Sequence, residues 1–347
     1  MAFVKTILVV GENSGRTKQR VLAMRRLGYN VDIVSHVSED LKPGINEHIS
    51  LCDRVWNKLG FPRDHTRLNQ RVLEKIKNKS YDVLWVEKAL LLKPATLKKI
   101  PNAIKKVWCS EDDMFARHNQ SYYFKKSLPF YDIVFTTKSY NCDPQELPSL
   151  GAKKVIFFSQ AYDPTLHCPL TLSAEDREKY AADVGFIGTF EKDRYEKMLF
   201  LAKKGIPVRV WGNGWKPCAQ AHPNLHIENQ PLYETDYVKA IQATKINLCF
   251  LRKINRDLHT SRSIEIPACR AFMLAERTNE HQQLFLENKE VAFFDIHDVN
   301  ELYQKVAYYL AHDDERNGMA ENAYLRCKHS GYSHDERLRW MMGIVEQ

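Results

Sequence analysis

The sequence predicts an α/β protein with two doubly wound parallel sheets, one in each half of the chain. Short apolar runs alternate with helix-like segments, a polar stretch with a proline at residues 163–180 interrupts this rhythm, and the rhythm then restarts. A chain of 347 residues has room for two domains of ordinary size. We predict Rossmann-like domains at residues 1–165 and 166–330, with a final helix in residues 331–347 that returns to the first domain.

In the first half, the sequence pattern predicts a regular series of short apolar strands. They lie at residues 4–10, 31–35, 81–86, 106–110, 133–137 and 155–159. Residues 11–16 form a loop into a helix that ends at Gly28, because glycine tolerates the left-handed conformation common after a helix. A second helical pattern covers residues 67–79.

The second half repeats the alternation. Strands are predicted at residues 183–188, 208–211, 246–251, 272–275 and 291–294, and helices at 194–204, 236–243, 299–311, 314–327 and 334–345. Ligands of such sheets bind at the carboxyl ends of the strands. A cleft between two facing domains is therefore the expected site.

Charge is distributed unevenly along the chain. Residues 1–170 contain 27 Lys and Arg against 17 Asp and Glu, a balance of +10, whereas the remainder has 24 against 26, a balance of −2. A basic half can attract an acidic substrate, an anionic membrane surface or nucleic acid. Solvated lysines on surface helices explain the same pattern equally well.

Composition also excludes several classes of protein. No apolar run approaches the ~20 residues that span a bilayer, and the apolar run 7–10 ends at Gly11 without a signal-peptide cleavage site. Eight cysteines are scattered without a C-x-x-C motif or a Cys/His cluster, which argues against a disulfide framework and structural zinc. We expect a protein of the reducing cytoplasm.

The segment from residue 251 to residue 276 carries the strongest functional signal. A predicted strand leads into a basic, hydroxyl-rich loop and then a short helix. Thr260 and Ser261 can cap that helix, whose first N–H groups are free to bind an anion. The charges of Arg262, Arg252 and Lys253 suit a diphosphate, which an arginine can hold with two parallel hydrogen bonds.

Five motifs in this half resemble the C-terminal domain of the group 1 glycosyltransferases, in particular the CgeB-like spore-maturation branch. They are DVGFIGTFEKDR (183–194), WGNGW (211–215), RDLHTSRSIEIPAC (256–269), ENKEVAFFD (287–295) and ELYQKVAYYLAHDDER (301–316). The resemblance implies a GT-B fold, a nucleoside-diphosphate-sugar donor, a hydroxyl acceptor, retention of anomeric configuration, no cofactor and no metal.

In the family, two carboxylates separated by seven residues contact the donor, and the matching positions here are Asp257 and Glu265. The resemblance implies that Glu265 accepts hydrogen bonds from the ribose hydroxyls and that Asp257 lies near the sugar or diphosphate. A favourable charge at a helix start is the alternative for Glu265, and turn formation is the alternative for Asp257. Relatives usually carry glycine where this chain has Arg270, which puts the local backbone geometry in question.

Other candidates for donor binding lie in the loops that follow the strands. Gly188 and Thr189 follow the first strand of the second half, and glycine there allows close approach of backbone to phosphate. Arg194 can reach the phosphate or form a helix-surface pair. Gly212 belongs to a tryptophan-flanked loop at a strand end, where it can flank the base.

Candidates for acid–base chemistry lie in the first half. Asp112 and Asp113 follow a predicted strand, so either can activate an acceptor hydroxyl or cap the next helix. His118 is a further candidate, with an ordinary polar histidine as the alternative. A metal site at the carboxylates of residues 111–113 is not needed if a helix start and cations bind the diphosphate.

The sequence thus predicts a glycosyltransferase that moves a sugar from a nucleotide-sugar donor to a hydroxyl acceptor such as a glycan, with an acidic acceptor as one option. Peripheral membrane contact is compatible with the basic half, and nucleic acid is not an expected partner. Two alternatives stay open. They are a sugar-nucleotide epimerase on the same fold and a non-catalytic binding protein for an anionic glycan.

Overall fold

The computed structural model describes residues 4–37 and 50–347. The chain divides into two compact units, one made of Met1–Ser159 with His334–Gln347 and the other of Gln160–Ser333. Each unit contains one six-stranded sheet, and every strand pairing is parallel. The predicted α/β class with two doubly wound sheets is confirmed.

The first unit alternates strands and helices as the sequence predicts. Its strands are β1 (Thr6–Val10), β2 (Asn30–Val34), β3 (Val83–Glu87), β4 (Lys105–Ser110), β5 (Ile133–Thr136) and β6 (Val155–Phe157). Its first helices are α1 (Gly15–Arg26), α2 (Leu51–Lys58), α3 (Leu68–Asn78), α4 (Pro94–Lys98) and α5 (Tyr122–Ser127).

The first sheet has the strand order β2-β1-β3-β4-β5-β6, so its direction of growth reverses between β1 and β3. Successive side chains of a strand point to opposite faces. Accordingly, Leu84 and Val86 pack into the core on one face of the sheet, whereas Val83 and Trp85 pack into the core on the other. Helices cover both faces, as the continuous apolar strands require.

The second unit repeats this architecture. Its strands are β7 (Ala182–Ile187), β8 (Val208–Trp211), β9 (Leu225–Ile227), β10 (Thr244–Cys249), β11 (Met273–Glu276) and β12 (Ala292–Phe294). Its helices are α6 (Ala174–Tyr180), α7 (Lys192–Lys203), α8 (Glu234–Ala243), α9 (Arg262–Ala268), α10 (Asn279–Leu284), α11 (Val299–Ala311) and α12 (Asp313–His329). The strand order is β12-β11-β10-β7-β8-β9.

The final helix, α13 (His334–Val345), belongs to the first unit. It packs on α1, and its apolar side chains join the core under the first sheet. Arg26 of α1 and Asp335 of α13 form an ion pair in which both Nε and Nη2 of the arginine contact the carboxylate, with 2.5 Å between Nη2 and Oδ1.

Several short elements escape the sequence pattern. β9 has three residues and α10 has six, which is too short to display a period. α2 has no buried residue, so no core-facing stripe marks it. Short 3₁₀ turns lie at Arg117–Asn119, Leu128–Phe130, Ser139–Cys142, Pro148–Leu150, Lys216–Cys218 and Lys253–Asn255.

Arg270 takes the place where relatives of the sequence carry glycine, and its φ of 58° lies in the left-handed region. Its N–H donates to the carbonyl of Pro267 at 2.9 Å, which closes α9. The geometry that glycine would supply is thus present with arginine, at a backbone cost of roughly 1 kcal/mol.

Within the described residues, no helix is both long and apolar enough to cross a bilayer.

Gly212 provides a test of how the loops of the second unit pack. A Cβ at this position would lie 2.0 Å from the carbonyl oxygen of Gly188, and φ is +143°. We expect Gly212→Ala to lower the free energy of unfolding by about 3 kcal/mol, because backbone must move to admit the methyl group. Chemical denaturation measures this change.

Gly318→Ala is the matched control, because Gly318 lies within α12 and an added Cβ would meet no atom within 4 Å. This change should stabilise the protein by about 0.5–1 kcal/mol. Equal effects of the two substitutions would contradict the packing described for Gly212.

Candidate active site

The second sheet reverses its direction of growth between β7 and β10, which pair in parallel. The loops that follow two such strands run to opposite faces of the sheet and leave a crevice between them. Here the two loops are residues 188–191 after β7 and 250–261 after β10. They contain most of the residues that the sequence proposes for donor binding.

Gly188 and Gly212 bring two loops into contact. The N–H of Gly188 donates to the carbonyl of Trp211, and its own carbonyl accepts from the indole N–H of Trp215, both at 2.8 Å. Both backbone groups of Gly188 are therefore engaged within the protein. Thr189 is exposed, and its carbonyl accepts from Nη1 of Arg194 at 3.2 Å.

Arg194 and Arg262 form the central feature of the crevice. Each guanidinium carbon lies 5.5 Å from the centre of the Phe186 ring. Nη2 of Arg262 donates to the carbonyl of Phe250 at 3.2 Å. Three further nitrogens are buried without a hydrogen bond, namely Nε and Nη2 of Arg194 and Nε of Arg262.

The charges of this pair are only partly compensated within the protein. Arg194 is 2% exposed, and burial lowers the pKa of its guanidinium to about 10, with a further lowering from the charge of half-buried Arg262. Glu191 lies 3.7 Å from Nη2 of Arg194, too far for a hydrogen bond, and opposes this lowering only in part. A buried cation beside a second cation is costly. An anion with several acceptor oxygens would relieve both the repulsion and the unmet hydrogen bonds.

Arg252 and Lys253 connect the two loops. Nε of Arg252 lies 3.0 Å from the carboxylate of Glu191, and Nζ of Lys253 lies 3.0 Å from that of Asp193. Lys197 also pairs with Asp193, at 2.7 Å. Both predicted diphosphate ligands therefore lie at the crevice with carboxylate partners from the β7 side.

Asp257 serves its own loop. Its carboxylate accepts from the amide of Asn255 at 2.9 Å and from the backbone N–H of Arg252 at 3.3 Å. The neighbouring Arg256 has a φ of 47°, in the left-handed region. These contacts support the turn-forming alternative, and they also fix the backbone that carries Arg252.

A buried hydrogen-bond chain holds the start of α9. The N–H of Thr260 donates to Oγ of Ser263 at 3.0 Å, and this hydroxyl lies 2.7 Å from Nε2 of His281. Burial lowers the pKa of His281 to about 4, so the ring is neutral and its Nδ1–H donates to the carbonyl of Glu276 at 2.6 Å. Ser261, at the N-cap position, is buried in the same turn, and its side chain makes no capping hydrogen bond, so the predicted cap at Ser261 is wrong. The chain fixes the backbone from which Arg262 projects.

Glu265 lies one helical turn after Arg262, on the same side of α9. Its Oε2 accepts from the hydroxyl of Tyr237 at 2.6 Å. Oε1 lies 3.9 Å from Nε2 of His167, too far for a hydrogen bond. The carboxylate is 6% exposed and retains acceptor capacity on Oε1.

Glu276 was not predicted as a site residue. It ends β11, and its Oε1 accepts from the backbone N–H of Leu251 at 2.7 Å. Burial raises the pKa of Glu276 to about 7, although this hydrogen bond and the charge of Arg194 oppose the rise. The one available sequence signal was a carboxylate at the carboxyl end of an apolar strand.

The first unit has a second crevice, at the switch point between β1 and β3. Gly11 follows β1, and a Cβ there would lie 2.7 Å from Cβ of Glu87, so the close approach requires glycine. A cavity of about 340 Å³ opens at this point. Its walls include Glu12, Arg16, His36, Lys88 and Asp112.

Paired charges form the floor of this cavity. Arg20 is buried and donates to both oxygens of Glu87, at 2.7 and 3.0 Å, and to Glu111 at 2.9 Å. Glu111 also pairs with Arg16 at 2.8 Å. Burial opposes ionisation of Glu111, but the two arginine charges hold its pKa below the usual value.

The three predicted catalytic residues of the first unit have different surroundings. Asp112 lines the cavity and pairs with Lys88. Asp113 is fully buried, and its Oδ1 accepts from the N–H groups of Phe115 and Ala116 and from the Asn141 amide. His118 is exposed in a 3₁₀ turn. Of the three, the geometry favours Asp112 for contact with a ligand.

The predicted residues therefore form separate groups. Gly188, Thr189, Arg194, Arg252, Lys253, Arg262 and the start of α9 gather at the β7/β10 crevice, and Glu265 lies beside it. Asp112 belongs to the cavity of the first unit. In the described part of the chain, no three His, Cys, Asp or Glu side chains group as metal ligands.

Comparison with known proteins agrees with this geometry. Residues 194–343 match the model of a family described as glycosyl transferase-like. A comparison with curated proteins finds no match.

Solved structures share the fold across the whole chain at low sequence identity. An α-glucosyltransferase in complex with UDP and a DNA 13-mer has 13% identity, a TM-score of 0.70 and full coverage of both chains. Sucrose-phosphate synthase from Thermosynechococcus elongatus has 13% identity and a TM-score of 0.66, with 99% of this chain and 98% of that chain covered. HepE from Anabaena, in complex with UDP and glucose, has 10% identity and a TM-score of 0.63, with 99% and 100% covered.

The fold is that of the GT-B glycosyltransferases, as the sequence predicted. The sequence match to the glycosyl transferase-like family is limited to residues 194–343, less than half of the chain. The closer resemblance to the CgeB-like branch stays a prediction.

Glu276 gives a testable pH dependence. Its pKa is about 7 in the folded protein against 4.5 ordinarily, so between these values the folded state retains a proton that the unfolded state releases. Raising the pH from 4.5 through 7 therefore removes stability, by about 3 kcal/mol at most. Glu276→Gln should abolish this loss, so the stability of the variant relative to wild type should grow with pH in denaturation experiments at pH 5–8.

Glu301→Gln is the control. Despite its partial burial, the hydrogen bond with Arg277 lowers the pKa of Glu301 to about 2, so its stabilising effect is lost only as the pH falls below 4.5. Its effect should be constant from pH 5 to 8. A constant effect of Glu276→Gln over the same range would refute the raised pKa.

Proposed function

We propose that the protein transfers a sugar from a nucleoside-diphosphate sugar to a hydroxyl acceptor, with retention of configuration and without a metal ion. The observation that carries this proposal is the pair formed by buried Arg194 and half-buried Arg262, with three buried nitrogens that have no hydrogen bond. A diphosphate supplies the charge and the acceptor oxygens that this pair needs.

The positions of the cations suit departure of the nucleoside diphosphate. Negative charge develops on the diphosphate as the bond to the sugar breaks. Arg194 and Arg262 are held in place beforehand by the carbonyls of Thr189 and Phe250, so little reorganisation accompanies the reaction. These fixed cations can take the role that a metal ion has elsewhere, which is the basis for proposing metal independence.

Glu265 is proposed to bind the ribose. Its carboxylate follows Arg262 by one turn, and Oε1 is not occupied by the hydrogen bond from Tyr237. Vicinal hydroxyls can both donate to one carboxylate. UDP-bound relatives of the fold make a uridine nucleotide the first donor to test.

The cavity of the first unit is the proposed acceptor site. Its walls carry both signs of charge and include the carboxylates of Glu12, Glu87, Glu111 and Asp112. Glu87, Glu111 and Asp112 are paired with cations, so the cavity has no excess of positive charge to bind a polyanion, and we propose a polyhydroxyl acceptor such as a glycan rather than nucleic acid. Asp112 is the proposed base, with Lys88 as its partner. We place the enzyme in the cytoplasm, where its buried thiols stay reduced.

Arg262→Met tests the donor site. We expect it to weaken binding of the nucleoside diphosphate by about 100-fold, because a charge-assisted hydrogen-bonding fork is lost from a desolvated site. The stability of the ligand-free protein should change by less than about 1 kcal/mol, because the half-buried cation lies beside Arg194 and lacks full compensation there. Calorimetry with UDP, GDP, dTDP and CMP and their sugars measures the affinity.

Arg177→Met is the matched control, since this arginine is exposed at the end of α6. Unchanged nucleotide affinity in Arg262→Met would refute the diphosphate assignment.

Incubation of wild type with donor alone distinguishes transfer from epimerisation, because an epimerase converts the donor without acceptor. Metal independence predicts that activity survives EDTA. Retention predicts that NMR shows the same anomeric configuration in the product as in the donor.

Glu265→Ala tests the ribose contact by itself. Wild type should bind a ribonucleoside diphosphate about tenfold or more tightly than its 2′-deoxy analogue, and the variant should lose this preference. A preference that persists in Glu265→Ala would show that another group contacts the ribose. The deoxy ligand serves as the internal control for general damage to the site.

A further inference from the structure

Helix α2 exposes an apolar face to solvent. Leu51, Val55 and Leu59 follow one another at intervals of four residues, which places them on one side of the helix. Their exposed fractions are 79%, 52% and 62%. Trp56, on the adjoining side, is 43% exposed. No residue of α2 is buried among the described residues.

The end of α2 is anchored to the first unit, which fixes the direction of this face. The carbonyl of Gly60 accepts from the N–H of Tyr122, at the start of α5, at 2.7 Å. Phe61 packs on Tyr122 with 4.9 Å between ring centres and meets Trp56 edge-on at 6.4 Å. Trp56 and Phe61 therefore connect α2 to α5, and Leu51, Val55 and Leu59 lie on the side of the helix that adjoins Trp56.

Exposed or half-exposed cations lie on α2, in the loop that follows it, at residue 93 and on α5. They are Arg54, Lys58, Arg63, Lys93, Lys125 and Lys126. The nearby acids, Asp53 and Asp64, are engaged within the unit: Asp53 contacts His65 and Arg63, and Asp64 accepts from the backbone of α3. Lys126 lies over the Tyr122 ring and Lys93 over the Tyr123 ring, at 5.9 and 5.5 Å.

We propose that this face, defined by Leu51, Val55, Trp56 and Leu59 with the six cations, docks the first unit on an anionic phospholipid bilayer. Exposed aliphatic and aromatic side chains enter the boundary between headgroups and acyl chains, and lysines and arginines contact the lipid phosphates. The inference rests on α2 and its surroundings and is independent of the proposed sugar transfer.

Charge and composition favour a bilayer over other occupants. The cores of protein interfaces are depleted of lysine, whereas lysine accounts for four of the six cations here. Nucleic acid would contact the cations but would leave the leucines and the valine in water. Only a surface with a charged layer over an apolar layer satisfies both sets of side chains.

Flotation with vesicles tests the proposal on the full chain. Wild type should float with vesicles of equal parts phosphatidylglycerol and phosphatidylcholine, and much less with phosphatidylcholine alone. Leu51→Ser/Leu59→Ser should reduce partitioning by about tenfold or more, because two aliphatic side chains no longer enter the boundary. Lys125→Gln/Lys126→Gln should weaken binding several-fold, with the effect disappearing at high salt.

Leu286→Ser/Leu325→Ser is the matched control, because both leucines are exposed in the second unit, at 51% and 41%. It should bind vesicles as wild type does. All variants should have the melting temperature of wild type. If Leu51→Ser/Leu59→Ser lowers the melting temperature, Lys125→Gln/Lys126→Gln tests the proposal instead.

Three results would overturn the docking proposal. They are absence of wild-type binding to anionic vesicles, equal binding by both leucine pairs, and a dimer in light scattering that Leu51→Ser/Leu59→Ser dissociates. The last result would assign the face to a second copy of the chain. Nucleotide affinity, measured in parallel, should be the same in wild type and both leucine pairs, so failure here leaves the proposed function untouched.

Discussion

Two guanidinium groups lie against one aromatic ring in the second unit. The free-energy cost of placing these like charges together explains much of the site. Arg194 and Arg262 lie on Phe186, the first buried and the second half-buried, and both have nitrogens that lack acceptors. An arrangement of this kind persists only where the surrounding structure fixes it. The pair is therefore best understood as an anion-binding site.

The neighbouring carboxylates are arranged so that they do not replace that anion. Glu191 lies 3.0 Å from Arg252 and 3.7 Å from Arg194, Asp193 pairs with Lys253, and Glu276 is committed by one oxygen to the N–H of Leu251. Burial keeps the pKa of Glu276 near neutrality, so its charge compensates Arg194 only in part. The crevice stays cationic although it also contains acidic residues. Hydrogen bonding and desolvation limit how much positive charge those carboxylates neutralise.

The two crevices use their charges differently, although each lies where a parallel six-stranded sheet reverses its direction of growth. In the first unit, Arg20 is matched by Glu87 and Glu111, and the cavity above it is balanced. In the second unit, the cations exceed their acceptors. A balanced polar cavity suits neutral hydroxyl compounds, and an uncompensated one suits phosphate. Parallel sheets supply the same crevice to both, and the loops decide the chemistry.

The sequence by itself determined the architecture. Apolar runs of strand length and their spacing located eleven of the twelve strands, because burial on both faces of a parallel sheet leaves a continuous apolar signal. It also proposed Arg262 for the site, because a basic loop between a strand and a helix is a local pattern, and the family resemblance added Glu265; both roles stay predictions. β9 and α2 were missed, the first because it is very short and the second because it buries nothing.

Only the tertiary structure decided which charges remain available. Arg252 and Lys253 look equivalent to Arg262 in the sequence, but their partners come from residues 191 and 193, about sixty positions away. Asp112 and Asp113 are adjacent in the chain, yet one lines a cavity and the other is buried as a cap. Glu276 gains its raised pKa from burial beside a loop that is distant in sequence. Desolvation and pairing depend on distances in space, which no local pattern of residues records.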